Sequence, residues 1–92
     1  MKFIKKLLLN RVMTRGRKTG RISAAQWTAW QKVKSHKESM AQLMAHADGI
    51  VVGKMGTGKV GKIGDGTILQ LLLDHLPQLL AFIEALVKLF GL

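Results

Sequence analysis

The chain is divided by chemistry, and that division limits what it can fold into. Residues 1–37 hold eleven Lys and Arg and no Asp or Glu. Residues 67–92 are mostly Leu, Ile, Val, Ala and Phe. A glycine-rich stretch, residues 49–66, joins the two. The basic end suits an anionic partner. The apolar end must be covered by a bilayer or by protein.

A chain of 92 residues makes one domain at most and buries only part of its surface. A net charge of +10 points to nucleic acid or an anionic membrane surface and says nothing about fold. Hydrophobic residues are 48% of the chain, which argues against disorder by composition. Cys is absent, so disulfides and thiolate metal sites are excluded. The opening run, Phe3 to Leu9, stops at Asn10-Arg11 with no small-residue cleavage site after it. It is therefore expected to be part of the mature protein and not a signal peptide.

The pattern predicts a mainly α protein in four parts. The first, residues 1–21, is a basic amphipathic arm. Phe3, Ile4, Leu7, Leu8 and Val12 recur at helical spacing between Lys2, Lys5, Lys6 and Arg11, which predicts a helix over residues 2–13. Residues 14–21, TRGRKTGR, read as a linker broken at Gly16 and Gly20. Lys2, Lys5, Lys6, Arg11, Arg15, Arg17, Lys18 and Arg21 are the candidate anion contacts, because guanidinium forks and ammonium groups both meet phosphate oxygens.

The second part, residues 22–48, carries a capping-box signature, Ser23 and Gln26, ahead of an apolar stripe. Ile22, Ala25, Ala29, Val33, Met40, Leu43, Met44 and Ala47 predict one helix over residues 24–47. Asp48-Gly49 reads as its stop. Trp27 and Trp30 suit core packing, anchoring at a headgroup layer or stacking on bases. His36, His46 and His75 form no i, i+3 or i, i+4 pair, so no metal site is expected.

In the third part, residues 49–66, Ile50-Val51-Val52 reads as a short strand. Residues 53–64 repeat Gly-Lys-apolar-Gly three times. Gly53 to Lys59 fits G-x-x-x-x-G-K, but Val60 stands where a P-loop needs Ser or Thr for magnesium. Residues 56–61 fit G-x-G-x-x-G without the βαβ unit that motif requires. Nucleotide hydrolysis is therefore not expected, and no cofactor is implied.

The fourth part, residues 67–92, would be about 39 Å long as one helix, against a hydrocarbon core of about 30 Å. Gln70, Asp74, Gln78, Glu84 and Lys88 fall on one stripe within roughly 120° of arc. Leu72, Leu76, Leu79, Ile83 and Phe90 lie off it and are the candidate contacts to lipid or a partner helix. Pro77 removes a helix hydrogen bond, so a break over residues 74–76 is expected. Such a helix is too apolar for water and too charged to cross lipid alone.

No nucleophile–base set or paired carboxylates appear, so the chain is expected to be no enzyme. The expected role is that of a small cationic, membrane-associated structural protein. It would bridge a bilayer or protein shell to an anionic partner, in several copies or as an oligomer, and would not be an independent globular fold. The layout is similar in style to minor membrane-associated proteins of bacteriophage virions, an analogy of architecture and not of motif. Two other roles suit the same features: a holin-like or bacteriocin-like membrane permeabiliser, and a structural protein that binds nucleic acid.

Overall fold

Each helix of this chain has one apolar face, and the fold is the arrangement that buries those faces together. The structure is a computed structural model that describes residues 6–55 and 65–92. The chain is mainly α-helical, and the described residues form five helices: α1 (Lys6–Lys18), α2 (Ala24–Lys34), α3 (Lys37–Met55), α4 (Asp65–Asp74) and α5 (Leu76–Phe90).

Helix α1 buries Leu8, Leu9, Val12, Met13 and Gly16, a single stripe at 3–4 residue spacing. It runs further than residue 13. Gly16 lies inside it and breaks nothing, because burial outweighs the propensity cost of about 1 kcal/mol. A Cβ at Gly16 would fall 2.8 Å from Leu76 Cδ2 and 2.9 Å from Ile22 Cδ1. Glycine is thus what lets α1 sit against the start of α5. The helix ends at Gly20, whose φ is +79°. The Arg21 N–H donates to the Gly16 carbonyl at 2.9 Å, and the Gly20 N–H to the Arg17 carbonyl at 3.3 Å. That pair of bonds is a Schellman ending with glycine at its left-handed position.

Helix α2 opens on the Ser23–Gln26 capping box. The Gln26 N–H donates to Ser23 Oγ at 3.1 Å, and the Ser23 N–H to Gln26 Oε1 at 2.9 Å. The single helix expected over residues 24–47 is divided at Ser35-His36. Local side-chain bonds compete with the helix ladder there. Ser35 Oγ donates to the Gln31 carbonyl at 3.0 Å. His36 Nδ1 accepts the Ser39 N–H at 3.2 Å and so caps α3. The buried Ser39 hydroxyl lies within bonding distance of the Val33 and His36 carbonyls. The corner lets Trp30 and Val33 of α2, and Met40 and Leu43 of α3, enter the same core.

Asp48-Gly49 does not stop α3, and Ile50-Val51-Val52 is helical, not a strand. Met40, Leu43, Ala47 and Val51 form one continuous buried stripe, and extending that stripe outweighs the cost of an internal glycine. The second and third glycine–lysine repeats, and most of both glycine motif matches, lie outside the described residues.

The chain turns at His75, where α4 and α5 meet at 72°. Pro77 stands in the first turn of α5, where its missing N–H leaves no bond unmade. The His75 N–H donates back to the Leu71 and Leu72 carbonyls at 3.2 Å each. Its Nδ1 lies 2.9 Å from the Leu71 carbonyl. A carbonyl only accepts, so that nitrogen carries the proton. Beyond the turn, α5 packs on α2 and α3, while α1 packs on α4. Leu76, Leu79, Leu80, Ile83 and Leu86 are all buried, each contributing about 1.5–3 kcal/mol by removal from water.

Two glycine substitutions separate these features in urea melts. Gly49 sits within α3 with nothing within 4 Å of an added Cβ, so Gly49→Ala raises stability by about 0.5–1 kcal/mol. A left-handed helix stop at that position would give the opposite sign. Gly16→Val overpacks the α1–α5 contact and lowers stability by about 1–3 kcal/mol.

Candidate anion-binding face

Packing α1 by its apolar stripe turns its cations outward. Lys6, Arg11, Arg15, Arg17 and Lys18 are exposed, as is Arg21 just beyond the helix. Lys2 and Lys5 lie outside the described residues. No acidic residue lies on α1, so nothing on the helix itself neutralises these charges. Arg11 and Lys18 are exposed on the side of α1 away from its buried stripe, with half-buried Thr14 between them and Leu7, 64% exposed, beside them. Lys6 and Arg17 flank one side of this face and Arg15 the other.

A groove of about 640 Å³ is lined by α1 and by Leu69 of α4. Arg11, Arg15 and Lys18 bring charge to it, and Asn10, Thr14 and Thr19 bring neutral hydrogen-bonding groups. Arg15 and Thr19 also line a smaller hollow of about 140 Å³, together with Arg21, Gln70 and Leu73. Two of the arginines are held by carbonyls. Arg17 Nη1 donates to Ile22 O at 3.2 Å, and Arg21 Nη1 reaches Leu73 O at 3.5 Å. The arrangement offers several cations to one anion-bearing surface, while the Thr19 hydroxyl donates to the Arg15 and Gly16 carbonyls at 3.0 and 3.3 Å. The C-terminal end of α1 carries the negative pole of its macrodipole, so any anion affinity there rests on the side chains.

The remaining candidates are dispersed. Leu72, Leu76, Leu79 and Ile83 were expected to face lipid or a partner, but they are 0–1% exposed and pack on the chain's own helices. Two copies of the same apolar requirement, one on α5 and one on α2–α3, satisfy each other. Phe90 is half-buried and packs against the His36 ring, with centroids 4.9 Å apart. Gln70, Asp74, Gln78, Glu84 and Lys88 are all exposed, but they are divided between two helices at 72° and form no straight stripe. Gln70 Nε2 donates to Asp74 Oδ1 at 3.0 Å.

Trp30 is fully buried, so in this fold it reaches no headgroup layer; Trp27 is half-buried against the same core. The Trp30 Nε1 has no hydrogen-bond partner, and the surrounding apolar packing must outweigh that cost of about 1–3 kcal/mol. His46 stacks on Phe82 at 4.2 Å between centroids and 5° between planes, its Nε2 also buried without a partner. Sequence reasoning missed both histidine–phenylalanine contacts and the groove's Asn10, Thr14 and Thr19. The i, i+4 spacing of Asn10 and Thr14 among cations was the available signal for the groove.

Among the described residues, no three His, Asp or Glu side chains converge as metal ligands. No single described helix is long and apolar enough to cross a membrane; residues 66–74 and α5 reach that standard only together, with the 72° bend between them. No protein-family model matches the chain, and neither does a curated protein or a solved structure.

The two tryptophans give a direct check on the packing. In Trp27→Phe, the remaining Trp30 emission is blue-shifted and resists acrylamide. In Trp30→Phe, the remaining Trp27 is quenched readily. Equal quenching of the two would show that Trp30 is not enclosed.

Proposed function

We propose that this protein is a non-catalytic attachment module that docks through α1 on an anionic membrane surface, as a multi-copy structural component of a larger assembly. A membrane-containing bacteriophage particle is one such setting. The single observation that carries the reading is the outward face of α1, where Leu7 is exposed among Lys6, Arg11, Arg15 and Lys18. Cations near lipid phosphate contribute about 1 kcal/mol each, and an exposed apolar side chain beside them can enter the headgroup layer.

Attachment at the surface is favoured over a transmembrane role. The residues that would face lipid in a spanning helix already lie in the core. For the same reason, membership of an assembly does not depend on a bare C-terminal helix. It draws support from apolar groups left outside the core, chiefly Leu7 and Leu89, the latter 70% exposed. Pore formation would require α4 and α5 to leave the core together.

Nucleic-acid binding is the second reading, and the groove beside α1 favours it. Asn10, Thr14 and Thr19 among cations are residue types that contact phosphate and sugar in register along a strand.

Sedimentation with vesicles separates these readings. The protein binds phosphatidylglycerol vesicles, ignores phosphatidylcholine vesicles, and releases no trapped dye. Arg11→Gln, Arg15→Gln and Lys18→Gln together weaken that binding by about 3 kcal/mol, on the order of a hundredfold. Dye release by the protein alone would favour the permeabiliser. Tighter binding to duplex DNA than to vesicles, with affinity falling steeply in salt, would favour the nucleic-acid reading.

A further inference from the structure

A second concave site lies away from the outward face of α1, along the flank of α3. Its volume is about 570 Å³, within the range of small-molecule sites of about 300–1,000 Å³. Its wall is Met40, Ala41, Met44 and Ala45 of α3. These residues share one helix flank, with Lys37 one turn before them and Asp48 one turn after. The two alanines are exposed and small, so they form a trough, and the methionines border it. Methionine is unbranched and polarisable, which suits a flexible aliphatic guest.

The groove has distinct ends. Lys6 from α1, Lys34 from α2 and Lys37 from α3 line it together with Ser35 of the α2–α3 corner. Three separate helices thus bring ammonium groups to the lining of the same cavity, two of them, Lys34 and Lys37, from the α2–α3 corner. Lys34 is held there by a hydrogen bond from its Nζ to Asn10 Oδ1 at 3.0 Å. Asp48, the one carboxylate in the lining, stands about 16 Å along the helix from Lys37. An elongated ligand with one charged end fits this distribution: an anion at the lysines, an aliphatic tail along the trough, and no second anion near Asp48.

We propose that this groove binds a single-chain anionic amphiphile, a long-chain fatty acid carboxylate, with its head at Lys6, Lys34 and Lys37 and its tail over Met40, Ala41, Met44 and Ala45. Charge complementarity selects this occupant over a neutral or cationic one. The site shares Lys6 with the outward face of α1 but not Arg11, Arg15 or Lys18, which do not line it.

The probe is laurate below its micelle concentration, titrated into the full chain by calorimetry and followed by the methionine ε-methyl NMR signals. Laurate binds one to one and shifts the Met40 and Met44 methyls. Dodecyltrimethylammonium, with the same tail and opposite head, does not bind. Lys6→Gln with Lys37→Gln weakens laurate binding by about tenfold or more, as loss of charge-assisted hydrogen bonds implies. Ala45→Phe fills the trough from an exposed position and abolishes binding while leaving the thermal melt unchanged. Equal affinity for both amphiphiles, unmoved methionine methyls, or full binding by Ala45→Phe would each overturn the site. No binding by the full chain would also overturn it.

Discussion

The apolar face of α5 needs a cover, and the corner between α2 and α3 is shaped to supply it. Leu76, Leu79, Leu80, Ile83 and Leu86 present a continuous surface along α5. Trp30 and Val33 approach it from α2, and Met40, Leu43 and Ala47 from α3. A straight helix over the same residues would point half of that stripe beyond the end of a 15-residue partner. Breaking the stripe at Ser35-His36 folds both halves back on α5. The local bonds of Ser35, His36 and Ser39 satisfy the backbone groups that the break releases. With α5 covered in this way, α1 and α4 close the remaining side, and Gly16 allows their approach to the His75 turn.

What could be read from the sequence follows from how local each signal is. The capping box at Ser23 and Gln26 needs only four consecutive residues and is present as expected. The helical character of the chain rests on periodicity and is likewise plain. Boundaries set by long-range packing were not legible. Gly49 looks like a stop because Gly often ends helices, yet Val51 has a place in the core and carries the helix past it. Gly16 looks like a breaker because its neighbours are cations, while the atoms that require a glycine, on Ile22 and Leu76, lie elsewhere in the chain.

The candidate site divides the same way. The cations of α1 were legible because charge clustering is a one-dimensional property and an amphipathic helix must turn them outward. The fate of Leu72, Leu76, Leu79 and Ile83 was not, since leucine suits a bilayer, a partner and a core equally well. Only the presence of a matching apolar surface on α2 and α3 decides between those covers, and that surface exists only after the Ser35-His36 corner forms. Trp30 follows the same logic: its size marks it as an anchor, and the identity of what it anchors is a tertiary fact.

The covered core and the clustered charge on α1 act against each other. A net charge of +10 destabilises a compact state by self-repulsion, and a chain this short has little apolar area to oppose it. Unfolding would separate Arg11, Arg15 and Lys18, whereas the helix holds them within three turns. A polyanionic surface that engages the folded face removes that repulsion and binds the unfolded chain less well, because the extended chain no longer presents the cations as one array. Such a surface therefore stabilises the fold by mass action. If α1 is the docking face proposed above, docking and folding reinforce one another through the same residues.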